Sequence, residues 1–434
     1  MTSTLLHTQK KSLLFVGRTF AMMALLLVES AWAQSTEKVI FNLGTPRSDG
    51  GLILDSQGDL FGTATGYPAE TGTVFEAKRF ANGTWSHYVL YRFLGGNDGK
   101  NPNAGLIFDG AGNLYGTTQA GGANYCSLSN INSTCGTIFE LSPTPKGEWI
   151  EKQLYNFAGM TGNNTDGEDP NSGLVTDSAG NLYGTTAFGG AYHGTVFQLT
   201  PGSNGTWTET ILYRFSDGED GTGPTGLIRD SLGNLYGFTP VGGAAQSGTI
   251  FELSPNTDGS WTYHLLYTFC SKTNCSDGSA PTGITLDSQG NLYGAANNGG
   301  TVPCPVTSDG CGIIFKLVRG THEPWGFRLL HTFCKKNQCS DGAFPSGAPT
   351  LQPDGTLYGL TVVGGTANRG SLFKLVQRSS AWVLTSLYSF CTLSACPDGL
   401  DPAGTLAIDG SGNLYGTTPL GGKLDAGVVF QVIP

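Results

Sequence analysis

The sequence predicts an all-β fold: a seven-bladed β-propeller of four-stranded blades, its ring closed by the N-terminal strand pairing with the last blade. Three observations carry that expectation. The first is one phrase that returns seven times: an apolar strand, then Asp-x-x-Gly-Asn-Leu-Tyr-Gly, then Gly-Gly, then Gly-Thr-(Ile/Val)-Phe. Its aromatic centre stands at Phe61, Tyr115, Tyr183, Tyr236, Tyr293, Tyr358 and Tyr415, at spacings of 54, 68, 53, 57, 65 and 57 residues. A period of roughly 55 residues is too long for one coil of a β-solenoid and suits a four-stranded propeller blade. The second is glycine. There are 66 in 434 residues, about twice the usual share, and they recur in fixed places beside Leu, Tyr, Phe and Trp. Such glycines read as turns between short strands rather than as disorder. The third is a strand count that falls one short at the end of the chain and is made up at its beginning.

The elements follow in order. Blades are expected at 51–94, 105–158, 173–216, 226–270, 283–334, 347–391 and 404–434. In blade 3, strand a is Gly173 to Asp177, and the tight turn Ser178-Ala179-Gly180 leads to strand b, Asn181 to Thr186. The Gly189-Gly190 loop leads to strand c, Gly194 to Leu199. Asn204-Gly205, a strong hairpin signal, then leads to strand d, Trp207 to Phe215. Alternation places Trp207, Glu209, Ile211, Tyr213 and Phe215 on one face of strand d and Leu212 on the other. Apolar residues on both faces suit a blade packed between two neighbours. Apart from Trp32, every tryptophan opens a strand d: Trp85, Trp149, Trp207, Trp261, Trp325 and Trp382. Blade 7 has no such strand after its strand c. Val39 to Gly44 matches Val89 to Leu94 in register, so residues 34–44 are expected to form the outer strand of blade 7, leaving few open edges.

Residues 1–33 are a different kind of sequence. Lys10, Lys11 and Arg18 precede the apolar run Phe20 to Val28, and Ala31-Trp32-Ala33 follows. This reads as a secretory signal peptide cleaved before Gln34; the run is far short of the ~20 residues that span a bilayer. A secreted, periplasmic or extracellular monomer with no transmembrane segment in the mature chain is expected. Residues 1–33 take three of the 23 basic and one of the 33 acidic residues, leaving 20 against 32, a net charge of −12. That balance repels nucleic acid and anionic lipid. Neutral or cationic partners fit better.

The ten cysteines fall in local pairs: Cys126 with Cys135, Cys270 with Cys275, Cys304 with Cys311, Cys334 with Cys339, and Cys391 with Cys396. An exported chain meets an oxidising compartment, where such pairs close as disulfides. The rival reading is metal, but no histidine accompanies a pair and each supplies two of the four ligands that structural zinc needs. No metal or other cofactor is expected.

The phrase GNLYGTT…GG…GTIFEL at this period resembles the GloVer tandem repeat of bacterial exported proteins called choice-of-anchor proteins, over essentially the whole mature chain. The D-x-x-G-N turn is also similar, more weakly, to NHL propellers, and the Gly-Gly doublet to kelch repeats. The resemblance implies export and a propeller-like fold, and no activity. Such proteins often end in an anchoring tail. This sequence ends at Val432-Ile433-Pro434, directly after strand c.

The familiar catalytic patterns are missing: no G-x-S-x-G, no H-E-x-x-H and no P-loop. His87, His193, His264, His322 and His331 are scattered and read as packed or surface residues. One constellation repeats. The d-to-a loops carry Asp-Gly in every unit, at Asp49, Asp98, Asp166, Asp217, Asp277, Asp341 and Asp398. In a propeller these loops open on the same face as the b-to-c loops, and here that set varies in length and holds every cysteine pair. Variable loops on a rigid frame are where binding sits. The aspartates are therefore candidate ligand or cation residues, against the simpler reading that Asp caps an Asp-Gly turn. A second ring, Asp55, Asp109, Asp177, Asp230, Asp287 and Asp409, is broken by Gln352 and reads as turn structure. Three functions follow: a binding or scaffold module for carbohydrate, peptide or protein on the variable-loop face; a glycan-active hydrolase or lyase using loop carboxylates; or a purely structural surface protein.

Overall fold

The computed structural model describes residues 35–44, 50–66, 71–126, 133–159, 166–216, 218–320 and 325–434. Seven four-stranded antiparallel sheets follow one another round a ring, each ordered a-b-c-d from the axis outward. Blade 3 comprises Val175–Thr176, Leu182–Thr186, Thr195–Pro201 and Trp207–Arg214. The only helical segments among the described residues are two short 3-10 turns, Thr273–Cys275 and Asn337–Cys339. In blade 7, Ala403–Ile408, Leu414–Thr418 and Val428–Ile433 are joined by Thr36–Asn42 as the outer strand, with Thr36 opposite Ile433 and Asn42 opposite Val428. The displaced strand closes the ring in the register read from the sequence.

Alternation along strand d does not survive its whole length. A β-bulge interrupts every c–d ladder at the same place: Leu212 is the extra residue in blade 3, Leu90 in blade 1, Ile40 in blade 7. A bulge turns the strand and changes which face the following residues present. Trp207 and Ile211 therefore pack in the seam with blade 2, while Tyr213 and Phe215 pack in the seam with blade 4. The expectation that all five residues share one face is corrected: strand d serves both seams of its blade, one on each side of the bulge.

The seams are the core. The phenylalanine that follows strand d packs on the Gly-Thr-x-Phe ring of the next blade in six seams, with centroids 4.9–5.3 Å apart. Each burial contributes about 1.5–3 kcal/mol. That same ring explains the glycine of Leu-Tyr-Gly. A Cβ on Gly62, Gly116, Gly184, Gly237, Gly294, Gly359 or Gly416 would overlap the phenylalanine beside it. The opening tryptophan of strand d reaches the preceding blade, as in Trp261 on Tyr183 at 6.0 Å and Trp85 on Tyr415 at 5.9 Å. In the closing seam Leu43 stands where the phenylalanine is elsewhere, and Phe41 packs on Phe75 (5.6 Å) and stacks on His87 (4.4 Å). Arg79 of blade 1 pairs with Asp409 of blade 7 at 3.5 Å.

All ten cysteines are in disulfides, in the five local pairs. Cys311, Cys334 and Cys339 lie close together, but their sulfurs are bonded as S–S and offer no thiolate to a metal.

Candidate functional site

The d-to-a and b-to-c loops meet on one face, and the Gly-Gly doublets lock them together. Gly99 pairs with Gly121, and Gly167 with Gly189, in short ladders between the loop entering a blade and that blade's b-to-c loop. Gly121 and Gly189 hold φ of +91° and +86°, and a Cβ on either would run into the carbonyl of Asp98 or Asp166. The second glycines, Gly122 and Gly190, donate their N–H to those same carbonyls at 3.0 Å. Glycine is needed here for both the left-handed backbone and the loop-on-loop contact.

The candidate aspartates sit inside these loops as caps. Asp98 Oδ2 accepts from the Tyr91 hydroxyl (3.1 Å) and the Leu94 N–H (2.7 Å), and Oδ1 from the Gly99 N–H (2.8 Å). Asp166 repeats the arrangement with Tyr155 (3.0 Å), Ala158 (2.8 Å) and Gly167 (2.7 Å). Asp277 takes the Tyr267 and Ser271 hydroxyls at 2.7 and 2.6 Å. Asp398 takes the Tyr388 hydroxyl (2.8 Å) and the Cys391 N–H (3.0 Å). At Asp341 the tyrosine is replaced by His331, whose Nε2 lies 3.5 Å from Oδ2 without forming a hydrogen bond; the Lys335 and Lys336 amides complete the cap at 3.1 and 3.2 Å. Asp277 and Asp341 are 0% and 1% exposed, so neither offers a free carboxylate to solvent.

Asp49 and Asp217 lie outside the described residues. In the loop entering blade 4 the cap is Asp220, which in the sequence stands out only as an extra acid beside Glu219 and not as a member of the ring. It accepts from the Tyr213 hydroxyl (3.1 Å) and the Ser216 N–H (2.9 Å). A signal was available: the capping aspartates stand six or seven residues before the glycine that enters strand a, whereas Asp217 stands nine before Gly226 and Asp49 two before Gly51.

The second aspartate ring is turn structure. Asp177 Oδ1 accepts from the Ala179 and Asn181 amides (2.9 and 3.0 Å), and Oδ2 from Asn181 Nδ2 (2.8 Å) and the Tyr183 hydroxyl (3.0 Å). Asp109, Asp230 and Asp409 repeat it. Burial pushes the Asp177 carboxyl up, but these hydrogen bonds outweigh it and leave the group below the usual carboxylate range.

At the centre of the loop face lies the axial channel, a cavity of about 720 Å³ walled by the inner strands. Each blade gives it a glycine at the same place, Gly51, Gly105, Gly173, Gly226, Gly283, Gly347 and Gly404, and blade 1 adds Gly50. The strands converge so closely here that a Cβ on Gly173 would stand 3.3 Å from the Gly105 carbonyl, and one on Gly347 would overlap that of Gly404. The remaining polar lining is hydroxyl and amide, including Ser172, Thr225, Thr282, Ser346, Asn103 and Asn171. No ionisable side chain lines the channel among the described residues. Sequence reasoning missed this glycine ring because a glycine opening a strand looks like any turn residue.

Burial pushes the Asp169 carboxyl, in the loop entering blade 3, up to about 6 against its hydrogen bond from Gln119; the other strongly raised carboxyls lie in the seams. Glu209, on strand d of blade 3, is pushed up to about 8 by burial and then by Asp166 of the preceding loop, with Arg214 opposing. Glu151 and Glu37 are each pushed up to about 7, by burial first and then by Asp98 and Asp398 respectively. The same position of strand d holds Tyr263, Phe327 and Leu384 in blades 4 to 6 and His87 in blade 1.

Comparison with known proteins follows the fold. The sequence profile of the Gloeobacter/Verrucomicrobia repeat matches residues 125–337 and 306–434. No curated protein matches. Among solved structures, a catalytically inactive virginiamycin B lyase from Staphylococcus aureus, crystallised with quinupristin, is 15% identical with a TM-score of 0.52, over 92% of this chain and 99% of that one. A protein from Lactobacillus plantarum is 13% identical with a TM-score of 0.48, over 79% and 85%. A protein of unknown function from Dyadobacter fermentans is 11% identical with a TM-score of 0.46, over 82% and 98%. At these identities the likeness is one of fold.

Proposed function

Since the chain belongs to the Gloeobacter/Verrucomicrobia repeat family, a likeness that carries a fold and no activity, we propose from its own surface that it is an exported binding module holding an uncharged ligand at the axial channel and the loops around it. The observation that carries this reading is a channel of about 720 Å³ with no ionisable side chain in its described lining. That size suits a small ligand or the end of a longer one. An ion entering such a site would give up hydration without a countercharge. The loops around the mouth are held by disulfides and doublet contacts, so little ordering is left to oppose binding.

Catalysis is the weaker reading. Acid–base chemistry needs titratable groups within reach of the bound ligand; the described Asp-Gly carboxylates are engaged as caps, and Glu168 and Asp169, each with an unpartnered oxygen, are not among the channel-lining residues. The lyase of similar fold is inactivated by exchanging a histidine for alanine; no histidine is among the described channel-lining residues. A purely structural role leaves the channel without a purpose. Export rests on the signal-like residues 1–33 and agrees with five disulfides; no helix among the described residues is long and apolar enough to cross a membrane.

The test uses exported protein, whose N-terminus should read Gln34. Thermal-shift titration with uncharged and charged ligand panels should favour the uncharged, and bound ligand should be recovered unaltered by mass spectrometry. Ala403→Trp, which fills the channel wall, should abolish the shift. Preference for ions, or binding indifferent to the plug, overturns the channel reading; altered ligand overturns the non-catalytic one.

A further inference from the structure

The ring departs from seven-fold repetition in one sector, and the departures coincide. Blades 4 to 7 enter the channel as Pro-Thr-Gly, Pro-Thr-Gly, Pro-Ser-Gly and Pro-Ala-Gly, at Pro224, Pro281, Pro345 and Pro402. Blades 2 and 3 insert one residue, an asparagine each time: Pro102-Asn103-Ala104-Gly105 and Pro170-Asn171-Ser172-Gly173. Both asparagines line the channel. The buried Oδ1 of each accepts no hydrogen bond, and neither does Oδ1 of the neighbouring Asp169. The other ends of two of these side chains are fixed through Gln119, which donates to Asp169 Oδ2 at 3.2 Å and accepts from Asn103 Nδ2 at 3.5 Å. Buried acceptors without donors are costly. Two of these three, on Asn103 and Asn171, belong to side chains of the channel lining.

The loops above that wall carry exposed rings. Phe188 and Tyr192, in the b-to-c loop of blade 3, are 45% and 56% exposed, and Tyr125 in that of blade 2 is 67% exposed. No other blade exposes an aromatic residue in its b-to-c loop among the described residues. The blade 3 loop is tied to the segment that leads into the channel wall at Asn171: Phe188 pairs with Glu168, and the Ala187 N–H donates to the Asp169 carbonyl at 2.9 Å. Tyr192 holds a φ of +80°, an outlier for a bulky residue that is kept where surrounding contacts impose it.

We infer that this sector is a carbohydrate-binding ledge: a neutral glycan lays the apolar face of a pyranose ring on Phe188 and Tyr192 and donates its hydroxyls to the Asn103 and Asn171 side chains of the channel wall. The pairing follows from chemistry. A sugar ring presents C–H groups on one face and hydroxyl donors around its edge. The ledge presents exposed π faces and, in the channel wall, the Asn103 and Asn171 amides, whose Oδ1 atoms lack donors and are buried, so that each amide turns to meet a hydroxyl. A peptide would look instead for a free strand edge or a charged anchor, and neither lines this wall.

The inference rests on the channel reading and is separable from it. Purified exported protein is screened on an array of neutral β-glucans, α-glucans, xylans and mannans, and affinity for the best binder is measured by calorimetry. Phe188→Ala, Tyr192→Gly and Asn171→Ala should each weaken binding roughly tenfold or more, while Leu232→Ala, in the exposed a-to-b turn of blade 4 and away from the channel, leaves it unchanged. Both aromatic side chains are exposed, so melting temperature should hold; if it falls, Phe188→Tyr and Tyr192→Phe, which retain the ring, must restore both folding and binding. A neutral glycan that binds, ignores the ledge variants and is lost with Ala403→Trp overturns the ledge and leaves the channel reading standing. Binding of uncharged peptides but no glycan does the same. If no uncharged ligand of either kind binds, both fall.

Discussion

In blades 1 to 3 the inner strand pairs over two residues, Ile53–Leu54, Ile107–Phe108 and Val175–Thr176. In blades 4 to 7 it is longer, running through Thr225–Arg229, Ser279–Leu286, Ala343–Leu351 and Ala403–Ile408. The seams differ in the same sense. Blades 2 and 3 place Glu151 and Glu209 within electrostatic reach of the half-buried Asp98 and the buried Asp166. Blades 4 and 5 use rings instead, Tyr263 stacked on Tyr213 at 4.4 Å and Phe327 on Tyr267 at 4.9 Å. The disulfides in d-to-a loops all lie in the loops entering blades 5, 6 and 7. One repeat thus yields two kinds of blade. Strands b and c and the bulge of strand d are kept, because they make the seam, while the inner strand and one position of strand d are free to vary. The result is a ring in which blades 4 to 6 form an arc with well-paired inner strands and apolar seams, blades 1 to 3 form a less paired arc that is more polar in blades 2 and 3, and blade 7 is well paired but carries Glu37 in its seam.

The largest test acts where the two arcs meet. Removing residues 35–44 strips the outer strand from blade 7 and exposes Val428–Ile433 as an edge. The shortened chain should melt far lower and aggregate sooner, and the segment regrafted after Pro434 through a short linker should restore much of the loss. Equal melting of the two chains would mean that the arcs hold without closure. Next in size are buried phenylalanines. Phe333→Ala in the apolar arc and Phe157→Ala in the polar one should each cost about 3–5 kcal/mol by denaturant unfolding. Phe333 should lie at the upper end, because a stiff seam collapses less into the cavity, and equal costs would break the comparison. Smaller is the effect of pH. Glu209 and Glu151 have folded pKa values above the ordinary 4.5, at about 8 and about 7. Between 4.5 and those values the folded chain holds more protons than the unfolded one. Stability is therefore full below that window and falls as pH rises through it. Melting temperature should drop by a few degrees from pH 5 to pH 8, and Glu209→Gln should flatten part of the slope; an unchanged slope would remove the seam carboxyls from the comparison. The smallest is local: backbone amides of the inner strands should exchange with deuterium faster in blades 1 to 3 than in blades 4 to 7. Uniform protection would make the difference in pairing one of geometry alone.

The frame was legible in the sequence because it is periodic. Seven aromatic centres, six opening tryptophans and one displaced strand carry the same information three times over. The bulge was not legible, since Leu212 alternates as any strand residue does and only its pairing against Val196 and Phe197 sets it apart. The candidate site was legible in part. The Asp-Gly turns are visible, but what consumes the carboxylates is a tyrosine seven to eleven residues upstream, as with Tyr91 and Asp98 or Tyr155 and Asp166, and that link appears only when the loop closes on itself. Asp220 was hidden by the nearer Asp217. The inserted asparagines were in plain view; they become a feature only when the other inner strands are laid beside them around one axis.

The closing ladder also has a mechanical side. Thr36 lies opposite Ile433 and Asn42 opposite Val428, so the strands from the two ends of the chain run antiparallel and leave the ladder at the same end. Tension applied between residues 36 and 433 loads these hydrogen bonds one after another, as in a zipper, and never all at once, as in shear. The strand that completes the ring is thereby also the place where a modest pull at the termini opens it, peeling blade 7 before any inner seam carries load.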